Sequence, residues 1–316
     1  MNGRALPERE ATRGKPDYQG RLASEQPNGP GYKTTPPTTR DESVRTSGFS
    51  IVPGSRYGFF TDTTVCIGCK ACEVACKQWN QLPMDSLGFT GSSYDQTRGL
   101  GATTWRHVLF VEQFSREART AARDRWLFMS DVCKHCENAG CLEACPTGAI
   151  VRTEFGSVLI QQDVCNGCKY CVPSCPFHVI TVSNELDGTA HKCTLCYDRL
   201  KGGLEPACAK SCPTDSILFG PVERLREIAE KRVRLLHDRG VSEAYLYGVP
   251  GSPGATGGVA SLNCFFLLTD RPEVYNLPAA PELPSTRATR GAITAAVAAL
   301  AFGAATILAL RSAGRE

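Results

Sequence analysis

Sixteen of the 17 cysteines fall into four tight groups of four, and that bunching constrains the chain more than any other feature. The first group is Cys66-Ile-Gly-Cys69-Lys-Ala-Cys72-Glu-Val-Ala-Cys76, and the second is Cys133-Lys-His-Cys136 followed by Cys141 and Cys145-Pro146. The third is Cys165-Asn-Gly-Cys168-Lys-Tyr-Cys171-Val-Pro-Ser-Cys175-Pro176, and the fourth is Cys193-Thr-Leu-Cys196 followed by Cys208 and Cys212-Pro213. Three chemistries use cysteine at this density: disulfides, zinc sites and iron–sulfur clusters. Disulfide-rich domains are usually small and secreted, with cysteines dispersed so that each meets a partner on another segment. Bunching argues against that. So does the polar, charged opening from Met1 to Gly20, which has neither an apolar run nor twin arginines.

The first and third groups match the iron–sulfur run C-x2-C-x2-C-x3-C, and the third adds the trailing proline. A ligand every third residue wraps three corners of a [4Fe–4S] cube. The fourth cysteine, one helical turn on, points away and serves the neighbouring cube. Zinc knuckles are paired C-x2-C units and would leave the third cysteine of each run idle. Rieske ligation needs histidines at ligand spacing, which His135 and His178 do not offer; both read as ordinary loop residues. No C-x-x-C is followed by His, which excludes covalent c-type haem. Sixteen thiolates therefore predict four [4Fe–4S] clusters in two ferredoxin-like units, and spacing alone leaves open which groups pair.

An internal repeat accompanies the ligands. Cys145-Pro-Thr-Gly-Ala-Ile150, Cys175-Pro-Phe-His-Val-Ile180 and Cys212-Pro-Thr-Asp-Ser-Ile217 each place a proline-fixed turn after a ligand, then an Ile to pack over a cluster. The first group departs, with Lys77 in place of Pro, so Trp79 and Leu82 are expected to cover that end. Lys70, Lys77, Lys134, Lys169 and Lys192 flank ligands; they either favour the reduced, more negative cluster or are solvated loop lysines.

The rest of the chain points to an α+β fold. Residues 1–50 are rich in Pro, Gly, Thr and Arg without periodicity, and so are expected to be flexible alone, as a tail or as an arm that orders on a partner. Between the first two groups lie a Gly/Ser stretch from Gly88 to Gly101 and two strands, Trp105–Val111 and Arg125–Met129. A helix over 222–239 presents Val222, Leu225, Ile228, Ala229, Leu235 and Leu236, with Pro221 before it and Gly240 ending it. Gly248 to Gly258 reads as a loop without a nucleotide fingerprint. Cys264 lies in the apolar run Leu262 to Leu268 and reads as a small core residue.

Residues 291–310 carry no charge and are bracketed by Arg290 and Arg311. At about 1.5 Å per residue such a helix spans about 30 Å, the hydrocarbon thickness of a bilayer. A buried soluble helix is the alternative. Ala295, Ala299 and Gly303 recur at four-residue spacing, which suits close packing on a partner helix. Lys and Arg number 35 against 32 Asp and Glu, too even for a nucleic-acid binder. With no nucleophile motif and no nucleotide fingerprint, the chain reads as an electron wire rather than an enzyme.

The C-I-G-C-K-A-C-E-V-A-C opening resembles that of the four-cluster ferredoxin-type subunits of molybdopterin oxidoreductases. So do Cys141-Leu-Glu-Ala-Cys145-Pro, Cys171-Val-Pro-Ser-Cys175-Pro-Phe and His191-Lys-Cys193-Thr-Leu-Cys196-Tyr-Asp-Arg199. Within that family the chain is most similar to the beta subunits of membrane-bound respiratory formate dehydrogenase. Glu205-Pro206-Ala207-Cys208, Arg239-Gly240, the strand through Phe265, Asp270-Arg-Pro-Glu-Val-Tyr-Asn-Leu-Pro278 and the C-terminal apolar helix carry that similarity. It covers about 59–312 and leaves the first 50 residues outside.

The resemblance implies a nested arrangement. Cys66, Cys69, Cys72 and Cys212 would hold one cube, and Cys193, Cys196, Cys208 and Cys76 its neighbour. Cys133, Cys136, Cys141 and Cys175 would hold the third, and Cys165, Cys168, Cys171 and Cys145 the fourth. It also implies a molybdopterin (Mo or W) catalytic alpha subunit and a membrane cytochrome b gamma subunit. The single C-terminal anchor would lie in membrane lipid, with the cluster region outside the cytoplasm. The expected division is an arm over 1–55, the cluster modules over 56–220 with an insert at 77–132, an extension over 221–285 and an anchor over 286–312. Open alternatives are the same wire for a hydrogenase, a dimethyl sulfoxide reductase or a polysulfide reductase, a free soluble ferredoxin, and a zinc-stabilised scaffold.

Overall fold

The computed structural model describes residues 49–85, 94, 97, 99–113, 125–184 and 186–313, the side chains of 308–313 excepted. Most of the expected N-terminal arm and much of the Gly/Ser stretch lie outside the described residues. The chain forms β1 (Tyr57–Asp62) and α1 (Ala71–Asn80), a hairpin of β2 (Arg106–Gln113) and β3 (Arg125–Val132), and then α2 (Gly140–Glu143). Next come β4 (Ile150–Arg152), β5 (Val158–Ile160), α3 (Cys171–Ser174), β6 (Thr181–Val182) and β7 (Ala190–His191). Two short helices follow, α4 (Tyr197–Lys201) and α5 (Ala207–Lys210), leading to β8 (Ile217–Pro221) and α6 (Val222–Asp238). The last elements are β9 (Tyr245–Tyr247), β10 (Cys264–Leu268) and α7 (Pro284–Ala313).

One sheet, in the order β8-β1-β10-β9, ties the two ends of the cysteine-bearing region to the segment after it. Its middle strands β1 and β10 run parallel and are buried at every position, as the wholly apolar sequence of β10 requires, while β1 also buries Thr61 and Asp62. Gly58 permits their approach, since a Cβ there would lie 1.7 Å from the Asn263 carbonyl oxygen. Cys264 sits on β10 opposite Phe59 and is 1% exposed, a core residue as expected.

α6 packs on β1 and β8. It begins after Pro221 and ends before Gly240, whose φ of 86° suits a helix C-terminus. Its buried face is Val222, Leu225, Ala229, Arg232 and Leu236. The expected Leu235 is instead 37% exposed, because the face drifts to Arg232. The Arg232 Nε donates to Asp62 Oδ2 on β1 at 2.8 Å, so a buried ion pair occupies that position. The β2–β3 hairpin matches the two expected strands but runs further, from Arg106 opposite Val132 to Gln113 opposite Arg125.

Proline placement sets helix length at the cysteines. Where Cys-Pro follows, α2, α3 and α5 are each 4 residues long, whereas α1, with Lys77 in place of Pro, runs for 10. The residue before a proline is pushed out of the helical region, and without that block the helix continues. α1 packs against α5, and α2 against α3.

α7 is apolar enough over Pro284–Ile307 to cross a membrane, with mean hydropathy 1.5 and none of its most apolar window buried. That differs from a soluble core helix, which would hide its apolar side chains. Its start is fastened beside α2: the Ser285 hydroxyl donates to Glu143 Oε2 at 2.9 Å, and the Leu283 amide donates to the Gly257 carbonyl at 2.9 Å. The 248–258 loop thus supports the root of this helix.

Candidate cluster sites

The four groups share a backbone device. The residue before the second cysteine of each C-x-x-C has positive φ: Gly68 at 66°, His135 at 44°, Gly167 at 69° and Leu195 at 60°. Left-handed backbone costs a side-chain-bearing residue roughly 1–2 kcal/mol, yet His135 and Leu195 adopt it. The turn that brings two sulfurs to one side enforces it. The Cys-Pro repeat shows the same economy, with positive φ at Gly148, His178 and Asp215, three residues after each cysteine. The Ile residues that follow, Ile150, Ile180 and Ile217, are buried as expected.

All 17 cysteines are free thiols. Cys136 faces the sulfurs of Cys133, Cys175 and Cys141. Cys171 faces those of Cys165, Cys168 and Cys145, and these four residues line one pocket with Thr147 and Ile150. Cys66 faces Cys212 and Cys69, and Cys76 faces Cys208 and Cys196. Cys193 faces Cys76, Cys196 and Cys208, and also Cys133 of the second group. Burial is uneven. Cys76, Cys193, Cys196 and Cys208 are all buried, as are Cys133, Cys141 and Cys175, whereas Cys69 and Cys168 are exposed.

Burial pushes several of these thiols up, to about 12 for Cys72, Cys141 and Cys196 and about 11 for Cys171. Those four sulfurs would give up their protons on binding a cluster. Cys145 is shifted the opposite way. Its slight burial acts to raise it, but the Thr147 hydroxyl and the amides of Ile150, Thr147 and Ala149 draw its thiol below the usual value. Proline's turn thus aims backbone donors at the Cys145 sulfur.

Positive charge gathers behind the sulfurs. Lys134 and Lys192 are buried, which settles those two of the five flanking lysines as interior cations, while Lys169 is exposed. Lys134 pairs with Asp131 and lies 5.4 Å from the ring centroids of Phe177 and Phe266. Lys192 donates to the carbonyls of Val158 and Cys193. His135 is no ordinary loop residue: it is fully buried, and its Nδ1 accepts the Val158 amide at 3.0 Å. His178 is exposed, as a loop residue would be. Trp79 is 43% exposed rather than packed over its own group, and donates to Asp198 at 2.8 Å with Arg199 over its ring. Sequence reasoning missed Arg106, which is 1% exposed; its in-phase spacing with Val108 on β2 was the available signal.

The donor set is four thiols in each group, which suits iron–sulfur cubes. Among the described residues no three His, Cys, Asp or Glu converge tightly enough for one metal ion. Arg106 Nε and Nη2 are buried without hydrogen-bond partners beside Cys72, Cys76, Cys193 and Cys208, as donors facing anionic cluster sulfurs would be; His135 Nε2, Arg226 Nε and Arg232 Nη1 are also buried and unpartnered.

Comparison with known proteins agrees. Two family models, each described as a 4Fe-4S dicluster domain, match residues 65–149 and 124–222. The Escherichia coli "Formate dehydrogenase, nitrate-inducible, iron-sulfur subunit" is 39% identical over 259 residues, covering 78% of this chain and 83% of that protein. The Haemophilus influenzae "Formate dehydrogenase iron-sulfur subunit" is 38% identical over 267 residues, 82% of this chain and 81% of that protein. One subunit of the Escherichia coli anaerobic dimethyl sulfoxide reductase is 34% identical over 178 residues, 55% of this chain and 77% of that protein. Four [4Fe–4S] clusters follow from the two dicluster domains, and their chemistry is one-electron transfer rather than catalysis on a substrate. This chain therefore belongs to the family of formate dehydrogenase iron–sulfur subunits.

Proposed function

We propose that this chain relays electrons from a molybdopterin (Mo or W) subunit oxidising formate to a membrane cytochrome b and quinone. The nested ligand sets carry the relay: Cys66, Cys69, Cys72 and Cys212; Cys193, Cys196, Cys208 and Cys76; Cys133, Cys136, Cys141 and Cys175; Cys165, Cys168, Cys171 and Cys145. The observation that carries this reading is which sulfurs face one another, with Cys72 beside Cys208 and Cys141 beside Cys171 as contacts between the two sets of one unit. Cys66 faces Cys212, Cys136 faces Cys175 and Cys171 faces Cys145, each the distant fourth member of its set. The packing of α1 on α5 and of α2 on α3 supports the same two units.

The resulting order is outer, inner, inner, outer. Exposed Cys69 marks one end and exposed Cys168 the other, and Cys133 and Cys193 meet between the inner sets. The root of α7 beside α2 supports placing the second-and-third-group unit toward the membrane and its cytochrome, with α7 in lipid. The first-and-fourth-group unit then faces the catalytic subunit, outside the cytoplasm. The native complex, purified anaerobically, is expected to reduce quinone with formate as sole donor. A complex with full iron content that reduces none would overturn this reading. The likeness to the dimethyl sulfoxide reductase subunit supports a second reading, the same wire running from quinol to an oxidised substrate. Quinol-driven reduction without formate activity would select it.

A further inference from the structure

Arg106 begins β2, inside the insert, and belongs to no cysteine group. It is 1% exposed, and among the described residues no carboxylate pairs with it. Its guanidinium carbon lies 4.7 Å from the Phe59 ring centroid, which fixes one face against β1. Nη1 donates to Ser130 Oγ at 2.9 Å on the facing strand β3. That hydroxyl is 3.2 Å from Cys72 Sγ. With a lone pair of the hydroxyl turned to the guanidinium, its proton is free to point at the sulfur. Nε and Nη2 remain buried and unpartnered. The sulfurs that interact with the guanidinium are those of Cys208, Cys72, Cys193 and Cys76.

The other buried cations are held differently. Arg232 has Asp62, Lys134 has Asp131, Lys192 has two carbonyl oxygens, and Arg199 donates to the Glu205 carbonyl and lies over the Trp79 ring. A buried guanidinium without a carboxylate is costly unless some other anion faces it. Here the facing anions are cysteine ligands of two clusters. We propose that Arg106 is a potential-setting residue: its guanidinium stands between the cube ligated by Cys72 and the cube ligated by Cys208 and raises the reduction potential of both.

The physical basis is the charge change. Each cube gains one electron and no proton, and so becomes one charge more negative on reduction. A fixed cation in a low-dielectric interior stabilises the more negative state. Ser130 carries a share of the effect to Cys72 as a charge-assisted hydrogen bond to sulfur. The proposal rests on these cysteines being cluster ligands, not on which groups pair, because Cys72 and Cys208 belong to different cubes in either pairing. Its failure is therefore separable from failure of the nested arrangement.

The test is a redox titration of the intact complex followed by paramagnetic resonance, comparing the parent with Arg106→Gln, Arg106→Lys and Ser130→Ala. Arg106→Gln is expected to lower two of the four potentials, each by at least a tenfold change in the reduction equilibrium, about 59 mV for one electron. Arg106→Lys should recover most of that shift, because the charge is kept. Ser130→Ala should lower one of the same two potentials, by less. Unchanged potentials, a rise, or an equal shift of all four in Arg106→Gln would overturn the proposal. If Arg106→Gln fails to load its iron, Ser130→Ala decides alone: an unmoved Cys72 cube overturns the proposal, and a lowered one sustains it.

Discussion

Cys76, Cys193, Cys196 and Cys208 are all buried, whereas of Cys145, Cys165, Cys168 and Cys171 only Cys171 is. The first four draw on α1, α4 and α5 and the loops between them, backed by the β2–β3 hairpin that carries Arg106. The second four sit at the edge, on short turns, with the amides after Cys145 turned toward its sulfur. Under the proposed nested arrangement, the difference teaches how one motif would serve two tasks. An interior site needs fixed charge to offset the desolvated cluster, because water is not there to do it. An edge site needs access, so that an electron can cross to another protein, and there backbone donors and solvent carry the compensation.

Ligand replacement should separate the two regions most sharply. Cys168→Ser is expected to lose one cube, about four of about sixteen irons, and leave the fold intact. Cys193→Ser removes a ligand buried at the junction with Cys133, and is expected to cost more than its own cube, with iron falling to about eight or fewer. Iron and acid-labile sulfide per chain check both. Equal losses would mean that inner and outer sites do not differ in kind.

The sheet that carries β1 and β8 offers the next test. Asp62→Asn leaves Arg232 buried without its carboxylate. The expected destabilisation is about 3–5 kcal/mol, read as a fall in the thermal midpoint of the complex. The third-group resonance signals should survive at temperatures where the first-group signals are lost. Trp79→Ala is the mildest change. Its indole is 43% exposed and stacks under Arg199 at 4.2 Å, so about 0.5–1 kcal/mol is expected, with all four cubes retained.

Much of this was legible in the sequence because it is local. The C-x-x-C turns, the Cys-Pro repeat with its buried Ile, α6 between Pro221 and Gly240, and the apolar α7 all depend on neighbours within a few residues. What escaped is long-range. β1 pairs with β10 some two hundred residues away, and neither Gly58 nor Asn263 announces the contact that joins them. Arg232 reads as a solvated helix residue until Asp62 is placed beneath it, and Leu235 reads as core for the same reason. Helices of four residues, such as α2, α3 and α5, are too short to carry periodicity. Arg106 looks like the polar edge of a strand. Only the fold reveals that its neighbours are sulfurs.

The central claim is that each cube takes its fourth ligand from a distant group, which creates the inner and outer sites. Paramagnetic resonance of reduced Cys212→Ser, beside a Cys175→Ser control, tests it directly. The nested arrangement predicts that Cys212→Ser alters the signal of the cube held by Cys66, Cys69 and Cys72, slows its reduction by formate, and leaves the second- and third-group signals untouched. Loss of the signal belonging to Cys165, Cys168 and Cys171 in that variant would contradict it.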